Sequence, residues 1–418
     1  MRYRYQFIPR DSAGKLGELI DITPYMAMGG VNKINQTVES SDFSLESVFD
    51  SLEIKLINDG RFSLGTINSI FSKTREGSIF RVVFINDDDE SFISFQGLIN
   101  DSGTYEDETD RTIELVIVGL ESLFSRLSGI TIRPNSTFRE ALFQIFDRPD
   151  VKELFDININ EINLLFDETI DDVGIFNRIS LNDAITKLLF ASNSLIRVIP
   201  YRDYSTGDRV GLLRVLSRDP RGFAEKTLSG GDHSLVPSPF IFEIKEINTG
   251  RQRLFNKIKV NDEEVEATDS TREHGIIDAP DMQVEFINSK TKLRGIGNAA
   301  LFPFKWEREE LEVVLLSSGV QEIDLLDIVA IDVWPFISKP TGEEYFPLVG
   351  EDLTGKLVPY ESGKRILPSE SWIVYEKEEN PQKFNCVLKL RKGLEGFLIL
   401  GNVSRYGDGS SYGDGTLY

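Results

Sequence analysis

The amino-acid sequence predicts a mainly β protein with an α+β insertion, and three observations lead to this fold class. Short segments over residues 41–119 alternate apolar and polar side chains and end at Gly, Asn or Asp. Two capped helical stripes interrupt this pattern within residues 129–238, and strand-like alternation returns after residue 239. Alternation is typical of half-buried strands, whereas apolar residues at helical spacing indicate helices. We therefore expect two antiparallel β-barrels and a mixed α/β domain.

The first barrel is expected within residues 41–128, after an N-terminal arm with short strands over residues 1–40. A loop is expected over residues 100–110. β-Branched and aromatic residues separated by turn-forming residues are typical of sandwiches and barrels, and a closed barrel is favoured because an open sheet leaves unpaired edges. The four expected strands are residues 51–58, 79–85, 91–99 and 111–118.

The mixed α/β domain is expected over residues 129–238, completed by residues 263–308. Thr137 and Glu140 have the spacing of a capping box, in which a hydroxyl and a carboxylate bind free amides at a helix start. Ser180 begins a second helix, and an apolar stripe follows each of the two starts. The segments after the second helix alternate and predict a β-hairpin.

The second barrel is expected from residues 239–262 and 309–393, where alternating segments return. Residues 394–418 form a tail of a different kind, in which Tyr-Gly-Asp-Gly occurs twice. Glycine adds conformational entropy to the unfolded chain and offers no side chain for packing. The tail is therefore expected to be exposed and flexible.

Composition and charge narrow the functional classes. The chain has 418 residues and a formal net charge of −22, which repels polyanions and argues against a nucleic-acid-binding surface. The N-terminus lacks the apolar core of a signal peptide, and no apolar run reaches the roughly 18 residues of a membrane helix. We expect a soluble protein made in the cytosol, with the single cysteine, Cys386, in a core.

No catalytic residue, cofactor-binding residue or metal ligand is predicted. The two histidines, His233 and His274, are far apart, and neither His-Glu-x-x-His nor Gly-x-Ser-x-Gly occurs. Residues 350–356 have the spacing of a phosphate-binding loop. However, Leu357 replaces the required Ser or Thr, and Pro359 prevents a regular helix. The sequence therefore predicts neither an enzyme nor a cofactor.

Four patterns follow one another in a distinctive order. They are a strand and turn at residues 52–60 (LEIKLINDG), a strand at 211–216 (GLLRVL), a strand at 254–260 (LFNKIKV) that leads back into a barrel, and two final strands at 371–375 (SWIVY) and 384–391 (FNCVLKLR). Together they resemble the tail hub, or baseplate hub, proteins of long-tailed bacteriophages and related contractile injection systems. The resemblance covers roughly residues 40–392 and lies in the order of patterns rather than in one motif. It implies that both barrels are tail-tube-like.

The resemblance implies a structural virion protein at the tail tip or baseplate, assembled in the host cytoplasm. It implies a homotrimer, because three chains with two similar barrels each present six similar surfaces. One face would meet the hexameric tail tube or a distal tail protein, and the other a tail-tip, spike or fibre protein. Genomic DNA would pass through the ring during ejection without specific binding.

Two sets of residues are candidates for these contacts. Acidic side chains on loops of the first barrel would line the channel and repel phosphate groups. They are Asp87, Asp88, Asp89, Glu90, Asp101 and Asp107. The second set lies in the C-terminal repeats, where tyrosine offers contact area and a hydroxyl to a partner. It comprises Tyr406, Asp408, Tyr412, Asp414 and Tyr418.

Two other functions remain open. A non-viral module that binds a carbohydrate or a protein would have an aromatic groove and a monomeric state. A polysaccharide hydrolase would need two carboxylates at a fixed separation, and the pattern singles out no pair among the 68 acidic residues. The molecular mass in solution discriminates between these functions and a trimeric tail protein.

Overall fold

The structure is a computed structural model that describes most of the chain. Its described residues are 1–10, 16–27, 29–31, 33–37, 51–71, 75–107, 109–127, 130–153, 155–200, 211–220, 226–230, 241–248, 253–316, 320, 323–333, 337–338, 344–345 and 371–393. This part is mainly β with a few helices, so the predicted fold class is confirmed. The chain divides into two compact units. Unit 1 comprises Met1–Asp219, Gly250–Glu307 and Glu376–Phe384, and unit 2 comprises Pro220–Thr249, Arg308–Tyr375 and Asn385–Tyr418.

The elements are labelled in chain order. They are β1 (Arg2–Ile8), β2 (Ile20–Asp21), β3 (Ile34–Thr37), β4 (Ser51–Ile57), β5 (Ile79–Ile85), β6 (Ser91–Asp107), β7 (Thr112–Gly119), α1 (Phe138–Phe146), α2 (Pro149–Lys152), β8 (Phe155–Ile162), α3 (Leu181–Ala191), β9 (Ser194–Pro200), β10 (Gly211–Ser217), β11 (Lys226–Gly230), β12 (Ile241–Asn248), β13 (Lys257–Val260), β14 (Glu263–Glu266), α4 (Thr268–His274), α5 (Lys290–Leu301), β15 (Glu310–Leu316), β16 (Ile328–Val333), β17 (Ile337–Ser338), β18 (Glu344–Tyr345), β19 (Ser371–Asn380) and β20 (Asn385–Lys392). Within the described residues, short 3-10 helices lie at Thr23–Tyr25, Leu120–Arg126 and Val173–Arg178.

The first barrel is a curled antiparallel sheet in unit 1. Its strand order is β3–β4–β7–β6–β5–β1–β2, and residues 376–379 of β19 pair with β3. Tyr3 on β1 donates a hydrogen bond to Glu379, and a backbone bridge joins Met26 to Leu56. These contacts bring the opposite edges of the sheet together around a core. Its inward residues on β4 and β5 are Leu52, Ile54, Leu56, Phe80, Val82 and Phe84.

Strand β6 is longer than the sequence predicts. A loop is expected over residues 100–110, but β6 continues to Asp107, so this prediction is wrong. Residues 105–107 pair with residues 112–114 of β7, after an irregularity between Asn100 and Tyr105. Polar residues of low strand propensity fill this part of β6. Pairing with β7, rather than local preference, therefore makes it a strand.

Unit 1 also contains a mixed α/β layer, whose main helices begin where the sequence predicts. Thr137 and Glu140 form the capping box of α1, and the Ser180 hydroxyl accepts the backbone N–H of Asp183 at 3.1 Å at the start of α3. Strands β8, β10 and β9 form a three-stranded sheet in which β8 and β10 are parallel. The buried faces of α1 and α3 share one core with α5 and β13.

The strand pattern predicts that residues 239–262 contribute to the second barrel, but only some of them pair with its strands. β12 pairs with β15 in unit 2, whereas β13 pairs with β14 in a hairpin of unit 1. Asn261 forms the turn of this hairpin with a φ of 52°, and its side chain bonds the backbone of Val284. Helix α5 packs closely on the hairpin, because a Cβ at Gly297 would lie 2.6 Å from Val265. Alternation identifies a strand but not its partner.

A carboxylate from the loop that follows β8 fixes the start of α5. Asp171 accepts hydrogen bonds from the backbone N–H groups of Asn288 and Ser289, at 2.8 and 3.0 Å, and from Lys292 Nζ at 2.6 Å. Partial burial acts to raise the pKa of Asp171, but the hydrogen bonds and the lysine charge outweigh it and lower this pKa. Asp171 thus takes the place of a side-chain N-cap, which Ser289 does not supply.

Unit 2 is largely antiparallel. Strands β12, β15 and β20 pair in that order, and β16 pairs with residues 371–373 of β19. Strand β11, from the stretch that the sequence assigns to the mixed α/β domain, pairs with β16 in parallel. A parallel pair requires a long crossover connection, and the long segment between β11 and β16 provides one. Cys386 on β20 is buried, as the sequence predicts.

Candidate interaction surface

One loop of the first barrel is held by buried aromatic side chains. We call residues 58–71, which follow β4, the anchored loop. Its residues Phe62 and Phe71 are buried in the barrel core. Each packs edge-on against Phe7, with ring centroids 6.0 and 5.7 Å apart. Edge-to-face aromatic contacts have a preferred geometry, so the two rings give the loop a fixed path.

A hydrogen-bond network ties the anchored loop to two strands. Asn58 Oδ1 accepts the backbone N–H groups of Gly60 and Phe62, at 3.0 and 3.2 Å. Asn58 Nδ2 donates to Ser63 Oγ at 2.6 Å, and this hydroxyl donates to Glu106 Oε2 at 2.8 Å. Asn58 follows β4 and Glu106 lies on β6. Ser63 therefore links the ends of these two strands.

Arg75 completes the network from a buried position. Its side chain is 9% exposed, and its guanidinium donates to the Phe62 carbonyl at 2.9 Å and to Glu106 Oε1 at 2.5 Å. A buried cation is unfavourable unless hydrogen-bond acceptors replace its hydration. A carboxylate on β6 and a carbonyl of the anchored loop fill that role here, so the loop, β6 and Arg75 are joined.

Four large apolar side chains are exposed at this end of the first barrel. We call them the apolar end: Ile57 on β4, Leu64 and Ile67 in the anchored loop, and Tyr105 on β6. Their exposed fractions are 49, 38, 100 and 61%. Three of them, Ile57, Leu64 and Tyr105, are chain neighbours of residues in the network. Scattered exposed apolar residues are ordinary, but four at one strand end form a candidate contact surface.

Acidic side chains border the apolar end. Strand register places Asp107 in the same row as Ile57, two strands away. In the next row, Lys55 forms an ion pair with Glu114 at 2.8 Å. The pKa of Lys55 is raised, first by the hydrogen bond and charge of Glu114 and further by Asp110 and Asp107. Three carboxylates therefore act on the charge of Lys55, and the exposed Arg111 lies in the same turn as Asp110.

The acidic run predicted for a channel wall occupies the tight turn between β5 and β6. Asn86 Oδ1 accepts the backbone N–H of Glu90 at 2.8 Å, and residues 87–90 are exposed. The N-terminal amine contacts Asp87, and Arg2 donates to Asp89 at 3.1 Å. Two cations thus offset part of the charge of this turn.

The six acidic residues of the channel prediction do not form one cluster. Residues 87–90 precede β6, Asp101 lies within it and Asp107 ends it. β6 runs along residues 85–79 of β5 and then along residues 118–112 of β7, so at about 3.3 Å per residue its ends are about 40 Å apart along the strand. Asp107 also accepts the backbone N–H of Thr109 at 2.8 Å and so shapes its own turn. A channel-facing role for these residues stays a prediction.

The predicted partner-binding residues lie outside the described residues, as do His233 and residues 350–356. These partner-binding residues are Tyr406, Asp408, Tyr412, Asp414 and Tyr418. His274 is described and lies at the end of α4, with Nδ1 3.8 Å from Glu307.

The described residues contain neither a cluster of metal ligands nor a membrane-spanning helix. Within the described ranges, no group of three or more His, Cys, Asp or Glu is placed to hold a metal ion. In that same part of the chain, no helix is both long enough and apolar enough to cross a membrane.

The sequence contains a signal for the apolar end that strand alternation does not use. Residues 64–68 (LGTIN) place two large aliphatic side chains among turn-forming residues. On β4, the inward positions of Leu52, Ile54 and Leu56 imply that Ile57 points outward. What the sequence does not reveal is that Tyr105 lies at the same end of the barrel, because the extension of β6 depends on β7.

Known proteins match this chain in structure and not in sequence. No protein family and no curated protein matches the sequence. The structure matches a tail protein from Neisseria meningitidis MC58, with a TM-score of 0.50 and 10% sequence identity, over 94% of this chain and 97% of that chain. The chain has the fold of a tail protein. The resemblance to tail hub proteins is thereby confirmed at the level of the fold.

Two further solved structures are similar, with lower TM-scores. The prophage tail protein gp18 from Listeria monocytogenes EGD-e has a TM-score of 0.48 and 13% identity, over 94% of each chain. The 43 kDa tail protein of prophage MuSo2 from Shewanella oneidensis has a TM-score of 0.47 and 11% identity, over 93% of this chain and 98% of that chain.

Proposed function

We propose that this protein is a structural subunit of a phage-type tail, where it acts as the hub of the tail tip or baseplate. The observation that carries the proposal is the match to the Neisseria tail protein, which covers 94% of this chain and 97% of that one. Small β-barrels host many functions, so a match to one barrel would carry little weight. A match that extends over nearly the whole of both chains is more specific. The proposed role requires no catalysis.

In this role three copies form a ring between a hexameric tail tube and a three-fold tail tip. Two similar barrels in each chain would let three copies present six similar surfaces to a six-fold tube. DNA crosses the ring during ejection. Three chains at −22 each would give it a strongly negative wall, which repels phosphate groups within about 8 Å at physiological salt.

The C-terminal repeats provide a second contact in this proposal. Tyr406, Tyr412 and Tyr418 would anchor the tail to a neighbouring subunit or a distal fibre protein, because tyrosine combines a large contact area with a hydroxyl. Deletion of residues 404–418 is expected to leave the oligomer intact and to prevent attachment of the next component. Normal particles from the truncated chain would contradict this part of the proposal.

Mass spectrometry of purified particles and light scattering of the purified chain test the proposed function. The chain should be a stoichiometric component of the particles, and loss of its gene should leave incomplete tails. Light scattering should give three times the chain mass of 47.3 kDa, about 142 kDa, under conditions that stabilise the ring. Absence of the chain from particles would refute the proposal.

A further inference from the structure

A short segment from the C-terminal part of the chain completes the first barrel. We call residues 376–384 the strap; they comprise the end of β19 and the turn after it. The strap belongs to unit 1, although the chain on both sides of it belongs to unit 2. Its first four residues pair with β3, and its contacts with β1 include the side chain of Tyr3. The strap therefore joins β3 to β1.

The strap carries a carboxylate into the barrel. Glu379 is 1% exposed, and its Oε1 accepts hydrogen bonds from the Tyr3 hydroxyl and from Ser94 Oγ, the latter at 3.3 Å. Burial first, and then the charge of Glu379, raise the pKa of Tyr5 to about 12. A buried carboxylate is unfavourable unless hydrogen-bond donors replace its hydration. The position of Glu379 therefore depends in part on the Tyr3 hydroxyl.

The turn of the strap has an unfavourable backbone conformation. Phe384 has a φ of 53°, which is rare for a residue with a bulky side chain and persists only where the surroundings impose it. Its ring packs against the barrel core, 5.6 Å from the ring of Tyr3, and Gln382 Nε2 donates to the Val31 carbonyl at 3.1 Å. Release of the strap would relieve both this backbone and the buried carboxylate. These two costs mark the strap as the segment of the barrel that opens first.

The rest of the barrel is paired more extensively than the strap. β3 has four residues, and in the part of the chain that the structure describes its ladder with β4 is the single pair Asn35–Ser51. β5, in contrast, pairs at seven positions with β1 and at seven with β6. Departure of the strap therefore leaves the sheet around β5 intact.

We propose that the strap opens and closes the first barrel as a unit, and that the hydrogen bond from Tyr3 to Glu379 holds it closed. In the open state the strap has left β3 and β1, the carboxylate of Glu379 is hydrated, and the edge of β3 is exposed. This inference goes beyond the proposed function, because it concerns a motion of the single chain rather than its place in a particle.

Hydrogen exchange of the full-length chain, followed by mass spectrometry, measures this opening. In the wild type the amides of the strap and of β3 should exchange together, at least about 10-fold faster than those of β5. Tyr3→Phe keeps the ring and removes the hydroxyl. It should raise the exchange of the strap and of β3 at least about 10-fold, as loss of a hydrogen bond to a charged group does, and leave β5 unchanged.

Two further variants separate the hydrogen bond from general packing. Tyr5→Phe removes the same group from the same strand, is the matched control, and should change the exchange of the strap less than about 2-fold. Addition of Glu379→Gln to Tyr3→Phe removes the uncompensated charge, so the exchange should return to within about 3-fold of the wild type. Purely additive effects of the two substitutions would overturn the role of the hydrogen bond.

A reversible lock tests the motion independently. Asn35 and Glu378 lie directly opposite each other on β3 and the strap, at a separation that suits a disulfide, and Cys386 is buried. In the chain with Asn35→Cys and Glu378→Cys, oxidation should slow the exchange of the strap at least about 10-fold and abolish the effect of Tyr3→Phe. Reduction should restore both, so the reduced chain is its own control.

Two results would overturn the proposal. Wild-type exchange of the strap at the rate of β5, or a Tyr3→Phe effect that spreads equally to β5, would mean that the barrel opens only by unfolding as a whole. Unchanged exchange of the strap in Tyr3→Phe would mean that this hydrogen bond does not hold it.

Discussion

The loops beside the two ends of β6 present different chemistry to solvent, although both belong to one barrel. The turn at residues 86–90 is organised by one side chain, Asn86, and exposes only charged groups after it. The anchored loop is organised by two buried rings and a buried guanidinium, and it exposes Ile67 completely. The turn at residues 86–90 thus has no buried anchor of its own, whereas the anchored loop is held by three buried side chains, Phe62, Phe71 and Arg75.

The difference shows how a surface loop can expose apolar residues. A carboxylate in water is stable because it is hydrated, whereas an exposed aliphatic side chain on a mobile loop gains by folding back onto the protein. Buried anchors prevent that collapse. The amount of buried support therefore differs between the two loops, and substitutions at Phe62, Arg75 and Arg2 measure that difference.

The largest expected effect is at Phe62. Phe62→Ala leaves a cavity in the barrel core beside Phe7 and should reduce the local stability of β4 and β7 by about 3–4 kcal/mol. Hydrogen exchange followed by mass spectrometry measures this opening free energy. Leu64→Ala, two residues away and partly exposed, is the control and should change it by less than about 0.5 kcal/mol. Equal effects of the two substitutions would remove the distinction between anchor and presented residue.

Arg75 should come next. Arg75→Met keeps much of the side-chain volume but leaves Glu106 and the Phe62 carbonyl without their buried donor, at a cost of about 2 kcal/mol. Limited proteolysis should then cut within the anchored loop. Addition of Glu106→Gln should restore part of the stability, because it removes the uncompensated carboxylate. Strictly additive losses would show that the two side chains do not act as a pair.

Asp171 gives an intermediate effect and a pH dependence. Its pKa is lowered in the folded state, so its contribution is present above the ordinary Asp pKa of about 3.9 and is lost as pH falls through the lower folded value. Asp171→Asn should cost about 1–2 kcal/mol at pH 7. The stability difference from wild type should shrink below about pH 4. A difference that stays constant down to pH 3 would contradict the assignment.

The smallest effect is expected at the tight turn. Arg2→Ala removes an ion pair between two exposed side chains, because Arg2 is 63% exposed and its partner Asp89 is 81% exposed. Such pairs contribute less than about 0.5 kcal/mol and are screened by salt. Thermal melting should therefore be unchanged within error at physiological salt. A loss comparable to that of Arg75→Met would mean that the two ends of β6 do not differ in support.

Local patterns predict much of the fold. The capping box of Thr137 and Glu140 and the alternation along β4 are visible in the sequence because they depend on neighbours a few residues away. The second half of β6 and the partner of β13 are not visible, since both depend on pairing with another strand. Tertiary pairing overrides local preference at these places.

The candidate surface was predictable only in its parts. The outward position of Ile57 follows from alternation, and the aliphatic residues of the anchored loop can be read directly. Tyr105 lies at the same end of the barrel because β6 extends along β7, and the Ser63–Glu106 hydrogen bond there joins residues 43 positions apart. No local pattern contains that contact. The acidic run at residues 87–90, by contrast, is visible in the sequence because its four charged residues are consecutive.

The most direct test of the central claim is an electron cryo-microscopy reconstruction of the particles that contain this chain. The account predicts three copies in a ring coaxial with the tail tube, with the tube on one face and the tail tip on the other. A reconstruction that places the chain off the tail axis, or in which density for the chain is absent, would contradict the proposed hub.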